Sequence, residues 1–365
     1  MTALALPGVL TARELRATAE HIAGQQCPSG LIPWFRGHYG DPWDHVESAM
    51  ALAVCGLRDE AHAAYEWSAA TQAPDGTWPM ETVWGDDGER VADASADANQ
   101  CAYVAVGVWH QWRLTGDRAF VDRMWPTVRR AVDFVCDLQL PGGAIRWARD
   151  PEGVVHPYAL LTGSASMVLS LRCAMALADL VGDPHPDWEL SAARLAHAVA
   201  VHPDAFEDKS RFSMDWYYPV LGGAVRGAAG RQHLAARWAE FVVPGRGVRC
   251  VADRPWVTAA ETCELVLALD AVGDAGSAAR LIRDIQFCRA EDGGYWTGWV
   301  WPEDAFWPQE QSTWTAAAMI LAADALAGHS PAHALFRGAA LPRLLEIADC
   351  DEYCFARAGS GHDEP

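Results

Sequence analysis

A short motif recurs along this chain at the ends of helix-like segments. In each copy a glutamine is followed by a turn rich in Pro, Asp or Gly and then by an aromatic residue. The copies run from Gln26 to Trp34, from Gln72 to Trp78, from Gln139 to Trp147 and from Gln286 to Trp296. Because Pro and Gly end helices and reverse the chain, the motif predicts a helical hairpin that is repeated through the fold.

Helical periodicity dominates the chain, and strand-like alternation is nearly absent. We expect helices at residues 12–26, 41–56, 58–72, 95–115, 117–139, 163–182, 187–201, 214–229, 231–241, 257–272, 274–288, 310–327 and 331–347. Amphipathic segments alternate along this series with segments that are apolar on all sides and rich in Ala, Gly and Ser, as enclosed helices are. The pattern predicts an all-α fold, an (α/α)6 toroid of six helix hairpins followed by a C-terminal helix.

The composition is that of a globular protein, with 51% hydrophobic and 21% charged residues. We expect one catalytic domain over residues 1–348 and a flexible C-terminal tail over residues 349–365. A net charge of −20 repels phosphate backbones and anionic lipid surfaces, which argues against nucleic-acid and membrane partners. No uninterrupted apolar stretch approaches the roughly 18 residues of a membrane span, and the first residues lack a basic region, so we expect a cytoplasmic protein.

The ten cysteines are scattered through helix-like segments and form no Cys-x-x-Cys pair. They are interpreted as small buried hydrophobic residues. Cys350 and Cys354 are spaced for one helical turn, but no second half of a zinc site follows them. We therefore expect neither a metal nor a cofactor, and the sequence does not indicate an oligomeric state.

In a ring of hairpins the inner helices run in one direction, so their N-termini and the long loops before them meet at one end, here called the mouth. Five of the six predicted inner helices bring a carboxylate there. Polar and aromatic candidates on these helices are Asp41, Asp44, Glu47, Asp97, Asn99, Asp215, Trp216, Tyr217, Tyr218, Glu261, Glu264, Glu310 and Gln311. Tryptophans in or beside the same loops are Trp34, Trp43, Trp78, Trp84, Trp147, Trp216, Trp256, Trp296, Trp299, Trp301 and Trp307.

Indole faces among carboxylates suit a polyhydroxylated ring, because its C–H face stacks while its hydroxyls donate to acids. The mouth is therefore predicted to be a carbohydrate cleft. Predicted substrate-binding residues are Trp43, Trp84, Asp97, Asn99, Asp215, Trp216, Tyr217, Tyr218, Trp256, Trp299, Glu310 and Gln311.

Several of these acids have an alternative interpretation as helix caps. Two pairs have the spacing of a helix N-cap and an acid at the third helical position: Asp41 with Asp44, and Thr258 with Glu261. The helix dipole alone favours an acid at that position. Glu47 and Glu264 lie one turn further in and are harder to explain as caps, so they are candidates for orienting their neighbours.

An inverting glycosidase needs two carboxyl groups about 6.5–9.5 Å apart, a separation suited to inner helices two apart in the ring. Asp44 with Glu261 meets this condition, and Asp97 with Glu310 meets it as well. We favour Asp44 and Glu261 as the catalytic pair, because their apolar and aromatic surroundings favour the raised pKa that a general acid requires.

Residues 41–79 resemble the first helices of glucoamylase-type hydrolases, and residues 308–320 are similar to the segment that holds their catalytic base, which would fall on Glu310. A closer resemblance, over essentially the whole chain, is carried by PWDHVESAMAL, ASADANQCAYVAVGVWHQW and VTAAETCELVLAL. These segments resemble actinobacterial hydrolases of methylmannose polysaccharides, which are endo-acting α-1,4-mannosidases. That resemblance implies an (α/α)6 fold, internal cleavage of partly 3-O-methylated α-1,4-mannan, and Asp44 and Glu261 as the catalytic pair.

The repeated motif also resembles terpene cyclases and the β subunits of protein prenyltransferases, which are toroids as well. The chain lacks the Asp-x-Asp-Asp of the cyclases, since the segment from Asp93 to Asp97 does not supply it, and it lacks the zinc ligands of the transferases. Two alternatives to an endo-mannosidase stay open: a non-catalytic glycan-binding toroid, and a toroid of the cyclase or prenyltransferase kind.

Overall fold

A computed structural model describes residues 3–347 of the chain. The predicted tail at residues 349–365, with Cys350 and Cys354, lies outside the described residues. The outer helices are α1 (Ala12–Gln25), α3 (Arg58–Thr71), α6 (Arg118–Asp137), α8 (Pro186–Val201), α10 (Gly227–Ala236), α11 (Trp238–Phe241) and α13 (Ala275–Asp284). The inner helices are α2 (Pro42–Val54), α4 (Ala98–Ala102) with α5 (Val104–Thr115), α7 (Leu161–Val181), α9 (Ser213–Leu221), α12 (Ala259–Ala271) and α14 (Thr313–Ala327).

The inner helices form a closed ring. Following the chain, α2 packs against α5, and each later inner helix packs against the next as far as α14. Helix α14 then packs against α2, and the first outer helix, α1, packs on α14. The predicted (α/α)6 toroid is confirmed, with the N-terminal helix completing the outer layer.

The glutamine motif holds the outer layer together. The side-chain amides of Gln26, Gln72 and Gln139 each donate to a carbonyl of their own turn and to a carbonyl of the next outer helix, with all distances between 2.9 and 3.0 Å. The turn glycines approach that helix so closely that a Cβ atom would lie 2.1–2.6 Å from a backbone carbonyl oxygen. These glycines are Gly30, Gly76, Gly143 and Gly293, and the last of them meets α1. The repeated turn therefore encodes the contact between successive hairpins.

The core lies in and around the inner helices, which are buried on nearly every side. Helix α7 is long and apolar enough to cross a membrane by length and composition alone, but most of it is buried among other helices of the ring. Its composition is therefore explained by its enclosed position.

The predicted C-terminal helix at residues 331–347 is wrong, because these residues form turns and irregular structure. Pro342 lies inside the segment, where it would break a helix, and Gly338 has a left-handed φ of +69°. The segment is held by its side chains instead: Phe336 is buried, and Arg337 makes two hydrogen bonds of 2.7 and 2.8 Å to Asp270. It fills the ring at the end opposite the mouth, which we call the floor.

Short strands, which the sequence did not predict, surround the mouth. One sheet joins β1 (Tyr39–Gly40), β2 (Glu81–Gly85) and β3 (Gly88–Asp93), and β4 (Ala96–Asp97) pairs with β5 (Ala148–Arg149). A five-stranded sheet contains β6 (Val242–Val243), β7 (Gly247–Arg249), β8 (Trp256–Thr258), β9 (Gly298–Val300) and β10 (Ala305–Phe306). Because β1, β4 and β8 immediately precede inner helices, these sheets fix the loops that carry the candidate site residues.

Candidate active site

Two glutamates meet at the bottom of the mouth. Glu47 on α2 and Glu264 on α12 are 2% and 1% exposed, and both line one small central cavity. Trp43, Tyr103, Ser166, Tyr218 and Phe336 are among its other lining residues, and it has room for about one water molecule. Helices α2 and α12 are not neighbours in the ring, since α14 lies between them, so the two glutamates approach each other across the interior.

Tyrosine hydroxyls hold both glutamates in place. Tyr217 and Tyr218 donate to the two carboxyl oxygens of Glu264, the second at 2.6 Å, and Tyr103 donates to Glu47 at 3.3 Å. Burial raises the pKa of Glu264 to about 8, against the effect of these hydrogen bonds. Burial and the nearby Glu264 raise the pKa of Glu47 as well. Two carboxyl groups in this setting stay protonated at a pH where exposed glutamates are charged.

Asp44 and Glu261 lie one helical turn nearer the mouth than these glutamates, each three residues before one of them on the same helix. A spacing of three residues keeps two side chains on one helix face, with a rise of about 4.5 Å. Asp44 and Glu261 therefore lie on the mouth side of the two glutamates that share the cavity.

Neither of these two acids acts as a helix cap. Asp41 is the N-cap of α2 and accepts the backbone N–H groups of Trp43 and Asp44, both at 2.9 Å. Thr258 is the N-cap of α12, and no side-chain cap hydrogen bond forms there within the described chain. Burial, followed by the nearby Asp41, raises the pKa of Asp44 well above its usual range.

Glu310 belongs to the same acidic cluster. Burial raises the pKa of the Tyr39 hydroxyl, and the charges of Asp41, Asp44, Glu81 and Glu310 raise it further. Glu310 is half-buried, and the hydroxyl of Thr297 donates to it at 3.5 Å. Glu310, the alternative base, therefore lies in the same part of the mouth as Asp44.

Asp97 lies at the start of α4, where its carboxylate accepts the backbone N–H of Gln100 at 3.0 Å and the indole N–H of Trp147. Burial raises the pKa of Asp97 to about 6. The half-buried Asn99 follows it, with a side-chain oxygen that has no hydrogen-bond partner within residues 3–347. Asp97 therefore caps α4 and also lies near Asp41, whose charge raises the pKa of Asp97 further.

The predicted aromatic residues divide into several groups. Trp43 lines the central cavity and stacks on Tyr103 with ring centroids 4.3 Å apart. Trp256 on β8 packs edge-on against the exposed Trp307. Trp299 on β9 is 7% exposed under the guanidinium of Arg246. Half-buried Trp84 on β2 lies in a separate surface depression beside α1.

Three predicted residues point away from the central cavity. Trp216 is 2% exposed and stacks on Phe241 of the outer layer, which makes it a core residue. Asp215 accepts the hydroxyl of Thr162 at 2.6 Å and lines, with Trp216, a neighbouring groove of about 460 Å³. The side-chain oxygen of Gln311 is buried close to Gly294.

Tyr103 and Phe336 line the cavity but were not among the site residues predicted from the sequence. Tyr103 interrupts the inner helix between α4 and α5, where it looked like any other apolar helix residue. Phe336 lies in the segment that was expected to be a separate terminal helix. Over residues 3–347 no group of three His, Cys, Asp or Glu side chains is arranged to hold a metal ion.

The fold is shared with solved structures of glycosidases. A glycosidase variant in complex with glucose aligns with a TM-score of 0.68 at 16% identity, over 86% of this chain and 96% of that one. The mannosylglycerate hydrolase of Thermus thermophilus, in complex with Tris and D-glycerate, aligns with a TM-score of 0.62 at 15% identity, over 84% and 99%. Together with the acid-lined mouth and the sequence relative that follows, this fold defines a glycoside hydrolase of the (α/α)6 class.

The sequence comparison is more specific. The chain is 57% identical over 341 residues to the MMP endo-(1,4)-3-O-methyl-alpha-D-mannosidase of Mycolicibacterium hassiacum, covering 93% of this chain and 94% of the relative. The chain belongs to the family of this endo-mannosidase. No family model matches the sequence.

Proposed function

We propose that this protein hydrolyses internal α-1,4-mannosidic bonds of 3-O-methylated mannose polysaccharides, with Asp44 and Glu261 as an inverting acid and base pair. The substrate class is that named for the relative from Mycolicibacterium hassiacum. The observation that supports the assignment of residues is the meeting of Glu47 and Glu264 in one cavity, because Asp44 and Glu261 precede them by three residues on the same two helices.

The raised pKa of Asp44 suits it to be the general acid. In the proposed reaction Asp44 gives its proton to the glycosidic oxygen as the bond from that oxygen to the anomeric carbon breaks. Glu261 takes a proton from a water molecule, whose oxygen forms the new bond on the opposite face of the ring. Each cleavage consumes one water and exchanges one proton at each carboxyl group.

The surroundings supply the binding surface. The indole of the half-buried Trp256 offers an apolar face for the C–H and O-methyl groups of the sugar, and Glu310 and Asp97 accept its hydroxyls. The groove beside Asp215 extends this surface along the mouth and suits a further sugar unit of a long chain.

The proposal is tested with a purified 3-O-methylated α-1,4-mannan whose reducing end carries a label. Endo-cleavage releases labelled oligosaccharides of several sizes at early times, whereas removal of terminal units releases a monosaccharide first. Proton NMR during the reaction reports the anomer that forms, and inversion gives the β-anomer. Binding without new reducing ends would instead support the non-catalytic toroid, and turnover of a prenyl diphosphate would support the cyclase or prenyltransferase alternative.

A further inference from the structure

Two arginine side chains converge at the floor of the ring. Arg172 lies in the middle of α7, and Arg226 immediately precedes α10. A Cβ atom on Gly223 would lie 2.6 Å from Nη2 of Arg226 and 3.2 Å from Nη1 of Arg172, so both guanidinium groups reach the same point. Gly223 has a φ of +94°, and its missing side chain leaves room for both groups.

The hydrogen bonds of this arginine pair are incomplete. Arg172 donates from Nε to the carbonyl of Pro342 at 3.1 Å and from Nη2 to that of Gly338 at 3.4 Å. Nη1 and Nη2 of Arg226 are both buried, and they have no hydrogen-bond partner among the described residues. Within the same part of the chain, neither arginine forms an ion pair with an acidic side chain.

Such an arrangement is costly without a counter-ion. Burial, followed by the charge of Arg172, lowers the pKa of Arg226 to about 10, so both groups keep their positive charge at neutral pH. An isolated buried charge and unsatisfied buried donors each destabilise a fold, and two like charges repel one another. An anion with several oxygen acceptors neutralises the buried charge, satisfies the free donors and screens the repulsion between the two arginines. A guanidinium pairs with such a group through two parallel hydrogen bonds.

This arginine pair is separate from the acidic mouth. Leu169 and Gly222 line the floor side of the central cavity, and Arg172 and Gly223 follow them by one helical turn and by one residue. The pair therefore lies beyond Glu47 and Glu264, on the side away from the mouth. The N-terminus of α10 begins directly after Arg226 and adds to the positive potential there.

We propose that Arg172 and Arg226 form a structural oxyanion site that binds a phosphate or carboxylate group and holds α7, α9 and the floor segment together. The group accepts from Nη1 and Nη2 of Arg226 and from Nη1 of Arg172. A free inorganic oxyanion such as phosphate has this chemistry.

The test measures the Tm of the full chain in a phosphate titration, with chloride replaced so that ionic strength is constant. Once phosphate exceeds its Kd, Tm rises with the logarithm of the phosphate concentration, by about 3–5 °C at a hundredfold excess over Kd. Arg226→Met abolishes the rise, and Arg13→Gln, which removes an exposed arginine of α1, leaves it unchanged. Without phosphate, Arg226→Met is at least as stable as the parent, because it removes a buried charge.

The proposal is overturned if the Tm of the parent does not respond to phosphate, or if Arg226→Met responds as the parent does. Loss of the sugar-cleaving activity has no bearing on these outcomes, because the readout is the Tm.

Discussion

Replacing Glu264 by glutamine removes the buried carboxyl group that the structure holds most tightly. Glutamine keeps the shape of the side chain and accepts from Tyr217 or Tyr218, but it does not titrate. In the folded protein the pKa of Glu264 is about 8, against an ordinary value of 4.5. Below pH 4.5 the group is protonated in the folded and unfolded chains alike, and its contribution to stability is fully present.

Between pH 4.5 and pH 8 the unfolded chain releases this proton while the folded chain keeps it, so the free energy of unfolding falls as pH rises. Each pH unit is worth about 1.4 kcal/mol, and the whole window is worth roughly 5 kcal/mol. Asp44 and Glu47 have raised pKa values for the same reason, so they add slopes of the same sign. The difference between the parent and Glu264→Gln in how the free energy of unfolding changes with pH isolates the contribution of Glu264.

The assay is denaturant unfolding at pH 5, 6, 7 and 8, with the exposed Glu152→Gln as the matched control. We expect a steep loss of stability with pH in the parent and in the control, and a much shallower loss in Glu264→Gln. Equal slopes in all three proteins would refute the inference that Glu264 is neutral in the folded state.

Three further predictions concern packing, the floor segment and metals. Gly143→Ala should lower the free energy of unfolding by about 3 kcal/mol, because the new Cβ atom would lie 2.4 Å from the carbonyl oxygen of Arg194. Gly153 has a similar φ but lies in open space, so Gly153→Ala should lower the free energy of unfolding by only about 1 kcal/mol. Equal costs would show that the turn does not pack as described. Arg337→Met leaves the buried Asp270 without its partner and should cost about 2 kcal/mol in thermal unfolding, so an unchanged Tm would contradict the anchoring of the floor. Hydrolysis should be unaffected by EDTA, and activity lost to the chelator and restored by calcium or zinc would make the acidic cluster an ion site.

The ring of helical hairpins was predictable because the residues that form each hairpin recur along the sequence. The four glutamine turns and the alternation of amphipathic with apolar helices both follow from local chemistry. In the structure three of the four amides and all four turn glycines join successive hairpins, whereas the amide of Gln286 donates to the carbonyl of Ile282 in its own hairpin. The apolar helices were recognisable by their length and by their content of Ala and other small or apolar residues.

The floor and the sheets around the mouth were not predictable in the same way. Residues 331–347 contain helix-forming residues, yet tertiary contacts such as that between Arg337 and Asp270 decide their conformation. Strands such as β8 and β9 have three residues each, too few for an alternating pattern to show.

The acids at the mouth were identified from helix starts, whereas the side-chain directions had to come from the structure. Trp216 illustrates the limit: it lies at the start of an inner helix, as predicted, but its ring packs outward on Phe241. Spacing along a helix does not tell which face meets the interior when the helix is apolar on every side.

The catalytic pair is tested most directly by the steady-state kinetics of methylated mannan cleavage by Asp44→Asn and Glu261→Gln, alongside Glu310→Gln. We predict that both amide variants of the pair keep their Tm within a few degrees and bind oligosaccharide, while kcat falls by about 10²–10⁴, since an amide neither donates nor accepts the transferred proton. Glu310→Gln should alter KM more than kcat. A Glu261→Gln variant that turns over within about tenfold of the parent while Glu310→Gln is inactive would contradict the assignment, and the base would be Glu310.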